Sequence, residues 1–388
     1  MEDPKKQLAE RQEALNIPAD MRALFIILLG ISLTMGNAPG AWDVVVHEGR
    51  RFVPVENVAD FYKMRRQTTG KNNFRLHAPG RSIEGRPGAR DIKINGVKYV
   101  LCFPMASKGG KTLISAMDVT KIIEPVMRPQ KIQNATAVKT VILDAGHGGH
   151  DGGARGPLGH EKEAALDVAL RAKKLLEAKG IQVKMTRSSD VFIPLEKRSA
   201  IANRFSNALF ISIHFNKARG TSGTGIETFC LAPRGVPSMD DENLSYSDYK
   251  HHPGHARDPE NIALATAVHA SMVRRIKLTD RGIKRARFHV IRATEIPSIL
   301  IEGGFMNNPK DSRLIATPQY RQTIAQAITD GVMMFRDAVS GVPQHSRPSA
   351  VASAADPTDV PNLATGALGA DAHAAAAIDA AARALAAN

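Results

Sequence analysis

Four side chains far apart in the sequence have the types and surroundings of a hydrolytic metal centre. His147 lies in VILDAGHGGHDGGARG, directly after an apolar run and inside a glycine-rich turn, where the backbone can bend sharply and present an imidazole to a cleft. Glu161 heads the run EKEAALDVALRAKKLLEAKG, His214 closes FISIHFN, and Glu302 closes SILIEG. Two imidazoles, one carboxylate and an open position are what a catalytic zinc requires, and a second, unligated carboxylate nearby can take a proton from water. With two cysteines, Cys102 and Cys230, and no C-x-x-C pair, a metal must be held by histidine and carboxylate. Each signal alone has a plain structural explanation, since a strand-end histidine is usually just hydrogen-bonded and a glutamate at a helix start is favoured by the dipole. Jointly, that explanation needs four coincidences in one sheet.

The elements that must bring these residues together lie between about 137 and 340. TVILDA, IQVKMTR, ALFISIHF, GIETFCLA, FHVI and SILIEG read as strands, interleaved with amphipathic helices beginning at Glu161, Pro194, Ile262 and Thr317. Such alternation predicts an α/β fold with a twisted, mostly parallel sheet flanked by helices on both faces, and ligand sites in such sheets lie at the carboxyl ends of strands. Residues 232–260 form a long stretch without periodicity. Its His251, His252 and His255, like His150 and His160 elsewhere, are expected on solvated loops. Only if one of the three reached the metal would the insertion act as an autoinhibitory lid.

The flanking segments differ in texture. ALFIILLGISLTM, from Ala23 to Met35, is an apolar run of 13 residues followed by small residues, so 1–41 is expected to be a signal peptide or anchor, with Met21 a candidate true start. Residues 43–120 read as a small β-rich domain, with Asn95-Gly96 as a hairpin turn, Pro54 at an edge or strand start, and a short helix in ENVADFYKMRR. That stretch is basic, with 14 Lys or Arg against 6 Asp or Glu by Lys111, in a chain whose formal net charge is +14. Residues 121–136 are expected as a linker. From 341 to 388 the chain is expected to be a flexible tail, its last 39 residues holding 18 alanines and few large apolar side chains.

Taken in order, VILDAGHGGHDGGARG, Glu161-Lys162, TRSSDVFIPLEKRSAIAN, LFISIHFN, GIETFCL and DRGIKRARFHVIRATEIPSILIEGGFMNNP resemble the zinc-dependent N-acetylmuramoyl-L-alanine amidases of the Amidase_3 family. The leading stretch looks like the small β-rich stalk domains that precede some envelope amidases. The resemblance implies Zn²⁺ bound by His147, Glu161 and His214, and catalysis by Glu302. It implies hydrolysis of the amide between the lactyl group of N-acetylmuramic acid and the L-alanine of the peptidoglycan stem peptide, in an exported periplasmic or cell-envelope protein. Asn216 and Gly303 are candidates to orient substrate. Phe215 stands where the family has a small residue and Gly152 where proline is common, departures expected to reshape the cleft without touching the ligands. Arg187, Asp190 and Arg198 could equally form structural ion pairs or touch substrate.

Three functions compete. The first is the zinc amidase, a monomer whose basic leading domain would meet anionic envelope polymers or a regulatory activator. The second is a catalytically inactive or autoinhibited wall-binding protein on the same fold, which the presence of all four residues argues against. The third, a nucleic-acid binder, rests on charge alone and fits poorly with 5% aromatics and no nucleic-acid motif.

Overall fold

The computed structural model describes residues 42–69, 73–157, 159–239 and 244–341. The expected signal or anchor, the Met21 start and the alanine-rich tail beyond 341 lie outside them.

The functional half is built on four parallel strands, β10 (Thr140–Ala145), β13 (Gln182–Met185), β14 (Ala208–Asn216) and β17 (Ser298–Phe305), in the order β13-β10-β14-β17. All six residues of β10 are buried, as expected of a strand covered on both faces. Alternate side chains divide between two cores. Val141, Leu143, Ile211, Ile213, Ile299 and Ile301 belong to the larger one, packed under the long helices α3 (Glu161–Glu177), α5 (Asp258–Arg275) and α8 (Pro318–Val339). Ile142, Phe210 and Leu300 point the other way, into a smaller core covered by α4 (Leu195–Ala202) and α6 (His289–Arg292). The expected α/β sheet with helices on both faces is therefore present. Asn308, capping α7 (Pro309–Ala316) through the amides of Lys310 and Asp311, turns the chain after β17.

β15 (Ile226–Leu231) reverses the direction. It runs antiparallel to β17, with Glu227 opposite Glu302 and Phe229 opposite Leu300, so the chain after Leu231 emerges at the end of the sheet remote from the carboxyl ends of β10, β14 and β17. β16 (Asp280–Ala286) lies parallel to β15. Here one sequence expectation is corrected. FHVI is no strand, since His289–Arg292 is a helical turn, and the strand is the charged run DRGIKRA before it. Its Lys284 and Arg285 are buried because carboxylates are buried with them, Glu227 and Asp258 respectively.

The leading strands extend the same sheet. β7 (Val97–Val100) pairs with β16 at Tyr99 and Ile283, and β6 (Asp91–Ile94), β5 (Arg81–Gly85), β4 (Asn73–Ala78) and β3 (Arg65–Thr69) follow antiparallel, making eleven strands. Asn95 and Gly96 form the expected two-residue turn, both with positive φ (51° and 80°). A second small sheet, β1 (Val45–His47), β2 (Arg50–Pro54), β9 (Lys111–Ser115) and β8 (Ala106–Lys108), holds the short helix α1 (Val55–Phe61). Pro54 ends β2 beyond the reach of β1, so its missing N–H costs no ladder bond. Residues 116–127 are helical (α2), and the Lys121 carbonyl accepts from the Arg285 guanidinium. Among the described residues no helix is long and apolar enough to cross a membrane.

Candidate metal centre

His147 leaves the end of β10 with a φ of 62°, a conformation uncommon outside glycine, which swings its ring over the strand ends. Two cations hold this turn. Arg187 donates to the carbonyls of Ala145, Gly146 and Lys162, and Arg198 to those of Ala145 and His147 while pairing with the buried Asp144 at 2.8 Å. Asp190 accepts from the Gly149 amide and from Lys162, whose ammonium also reaches the Gly149 carbonyl. The arginines and aspartate of the TRSSD…EKR stretch thus form structural contacts that brace the loop.

Glu161 begins α3 and is buried. Its Oε1 lies 2.7 Å from His214 Nδ1 and 3.1 Å from His147 Nε2, while Oε2 accepts from the Ala154 amide at 2.8 Å. His214 reaches it from the end of β14, and the Phe215 amide donates to the same Oε1 at 3.1 Å. One ligand atom from each of the three lies within 4.8 Å of the others, the only such group among the described residues. Glycines are needed around them: a Cβ on Gly146 would collide with the His214 ring, and one on Gly153 with His147 and the Glu161 carboxylate. Two imidazole nitrogens and a carboxylate oxygen, converging with one side open, suit zinc. Burial opposes charge on Glu161, but the hydrogen bonds of His147 and His214 outweigh it and hold the carboxyl well below its usual range. Burial likewise lowers His147, yet its contacts with Glu161 and Asp151 leave it net raised.

Glu302 faces the open side. With His147, Glu161, His214, Asn216 and Lys217 it lines a shallow cleft of about 390 Å³. Its Oε2 is buried without a hydrogen-bond partner, and burial, then the Glu161 and Glu227 carboxylates, push its carboxyl well above the ordinary value. The four expected residues are therefore brought together. Asn216 also lines the cleft, its amide 3.3 Å from Glu227 and its carbonyl accepting from the Lys217 amide. Gly303 is buried, its carbonyl taking the Tyr320 hydroxyl at 2.9 Å, and a Cβ there would collide with Phe215 and Ile324. Phe215, which also lines the cleft, is buried and packs against this glycine.

The other histidines stay away from the triad. His150 packs on Phe192, with centroids 4.3 Å apart, and His160 precedes α3. His255 Nδ1 accepts from the His252 amide and its Nε2–H donates to the Ala232 carbonyl, both at 3.0 Å, at the far end of the sheet. Among the described residues, none of His251, His252 and His255 belongs to the ligand cluster.

Sequence reasoning missed two supporting carboxylates. Asp151 Oδ2 lies 2.8 Å from His147 Nδ1, the outer contact that fixes a ligating imidazole's tautomer. Glu227 binds Arg281 and Lys284 beside Glu302. The i+4 spacing of His147 and Asp151 was a usable signal, whereas nothing local marked Glu227.

An α/β sheet with a His–Glu–His centre and an unpaired carboxylate at its strand ends defines a metal-dependent hydrolase. Residues 141–334 match the model of the Amidase_3 family, N-acetylmuramoyl-L-alanine amidase, and the chain belongs to that family. It is 31% identical over 227 residues to N-acetylmuramoyl-L-alanine amidase AmiA of Escherichia coli (strain K12), covering 53% of this chain and 78% of that one. With AmiC of Escherichia coli O6:H1 it shares 30% over 217 residues, 50% of this chain and 52% of the relative. A solved structure, the catalytic domain of the amidase CwlV from Bacillus (Paenibacillus) polymyxa var. colistinus, is 31% identical over 52% of this chain and 99% of its own, with a TM-score of 0.43. The protein is a zinc amidohydrolase with N-acetylmuramoyl-L-alanine amidase activity, acting on peptidoglycan through the triad His147, Glu161 and His214.

Proposed function

We propose that Glu302 is the acid–base residue of this amidase, and that the bond cut joins the lactyl carbonyl of N-acetylmuramic acid to the L-alanine nitrogen. The observation that carries this is the orphaned Glu302 Oε2 in the cleft beside the triad. Zinc, when bound, would supply a Lewis acid that polarises a carbonyl and lowers the pKa of water, so that losing a proton to a base leaves a nucleophile. Glu302 takes the proton from the attacking water, and its burial favours keeping that proton until the amine departs. The proton then goes to the leaving nitrogen, restoring the carboxylate. Asn216 retains one amide hydrogen for a substrate carbonyl.

The setting we propose is wall remodelling or daughter-cell separation in the periplasm or cell envelope, with 1–41 as export signal or anchor. Residues 43–120 are proposed as a stalk-like region leading through 121–136 to the catalytic part, 137–340, and the exposed Lys63, Arg65, Lys93 and Lys111 on that region would suit anionic envelope polymers. The autoinhibited reading is disfavoured by the open cleft. Digestion of purified sacculi by residues 42–388, followed by mass spectrometry, tests the whole reading. Stem peptides with free L-alanine amines, absent with Glu302→Ala and after EDTA, are expected. Sacculi left intact by the zinc-loaded wild type would overturn it.

A further inference from the structure

We propose that Phe192, with His150 behind it and Val191 and Leu195 beside it, is a saccharide-binding platform that takes a pyranose ring of the glycan strand. This deepens the amidase reading and rests on it for the identity of the polymer.

Three large apolar side chains within five positions, Val191, Phe192 and Leu195, are 45%, 40% and 52% exposed. Leaving such surface in water forfeits about 25 cal/mol per Å² of burial, which a loop of ordinary role would recover by turning inward. This loop is instead fixed with its apolar groups out. Arg187 donates to the Ser189 carbonyl and Arg198 to that of Ile193, and Asp190 is held by Gly149 and Lys162. Gly148 and Gly149 have no room for a Cβ against Val191 and Phe192, so the ridge is locked onto the loop that carries His147. His150 braces the Phe192 ring at 4.3 Å and 41°.

A rigid aromatic face ringed by polar groups suits a ligand with one apolar and one hydrogen-bonding side. A pyranose has that character: its axial C–H bonds can lie on the Phe192 ring while its hydroxyl and acetamido groups reach the half-exposed Asp190 carboxylate. The scissile amide hangs from a sugar by a short lactyl arm, so the strand must pass close to the triad. The ridge, adjoining the His147 loop, is placed to receive it.

The test uses chitotetraose, a soluble oligomer of N-acetylglucosamine without lactyl or peptide groups, so its binding needs neither cleavage nor Glu302. Calorimetry should show saturable binding by the wild type, about tenfold weaker for Phe192→Ala and retained by Phe192→Trp. The introduced indole should change its emission on titration, over the background of Trp42, the only native tryptophan. Thermal melting would show that each variant folds. Equal affinity for wild type and Phe192→Ala, or no binding by either, overturns the platform. Normal sacculus digestion with no chitotetraose binding would remove this inference alone, whereas Phe192-dependent binding without digestion would remove the catalytic reading and leave the platform.

Discussion

Glu227 and Glu302 stand directly opposite each other across the antiparallel β15–β17 pair, yet all the cationic partners belong to one of them. Glu227 takes Arg281 at 2.7 Å and Lys284, whereas Glu302 Oε2 has none. Two carboxylates this near each other resist ionising together, so the one without a cation holds more firmly a proton it has taken up.

Replacing Glu302 by glutamine should therefore lower kcat by about 10²- to 10⁴-fold, the usual worth of a general acid–base group, while zinc stoichiometry stays unchanged. Metal analysis of the purified variant beside its rate on sacculi checks this. A variant that lost its zinc would mean that Glu302 belongs to the ligand set.

Asp151→Asn should weaken zinc binding by roughly 10- to 100-fold, because the His147 ring loses the carboxylate that fixes its tautomer and orientation. Competition with a graded chelator reads the affinity. At saturating zinc most of the activity should return, a recovery that would not occur if Asp151 handled substrate.

Arg198 donates to Asp144 and to two carbonyls of the His147 turn from a buried position. Removing one partner of such a pair leaves a buried charge uncompensated, so Arg198→Met is expected to cost about 3–5 kcal/mol by denaturant unfolding. Lysine should not rescue it, having no planar fork to span three acceptors. Full stability in either variant would show the pair to be dispensable.

Burial pushes His255 from its ordinary 6.5 down to about 4, the bond to the Ala232 carbonyl opposing that fall and the neighbouring His252 adding to it. The unfolded chain then binds the proton more readily than the folded one, so the stabilisation is complete above pH 6.5 and is lost as pH falls toward 4. Thermal melting between pH 7 and 4.5 should show that loss, and His255→Gln should flatten this part of the profile. An unchanged slope would place the acid sensitivity elsewhere.

Much of this was legible in the sequence because it is local. Runs such as TVILDA and ALFISIHF are buried on both faces and announce themselves as strands, and the glycines around His147 mark a turn needing unusual backbone. What escaped was non-local. DRGIKRA looks like a solvated segment, and becomes a central strand only because Glu227 and Asp258, distant in sequence, neutralise Lys284 and Arg285 inside the fold. The roles of Arg187 and Arg198 stayed open for a similar reason, since a guanidinium bracing carbonyls and one awaiting substrate share a sequence signature. The continuation of the sheet through β7 depends on one strand pairing that no periodicity announces.

The reversal at β15 has a consequence for how the chain can change. Because the segment after Leu231 leaves from the side of the sheet that faces away from the triad, inserted residues or a fused reporter there would load the molecule without crowding its reaction. The enzyme has, in effect, a back door for variation, and its chemistry is shielded from whatever is built there.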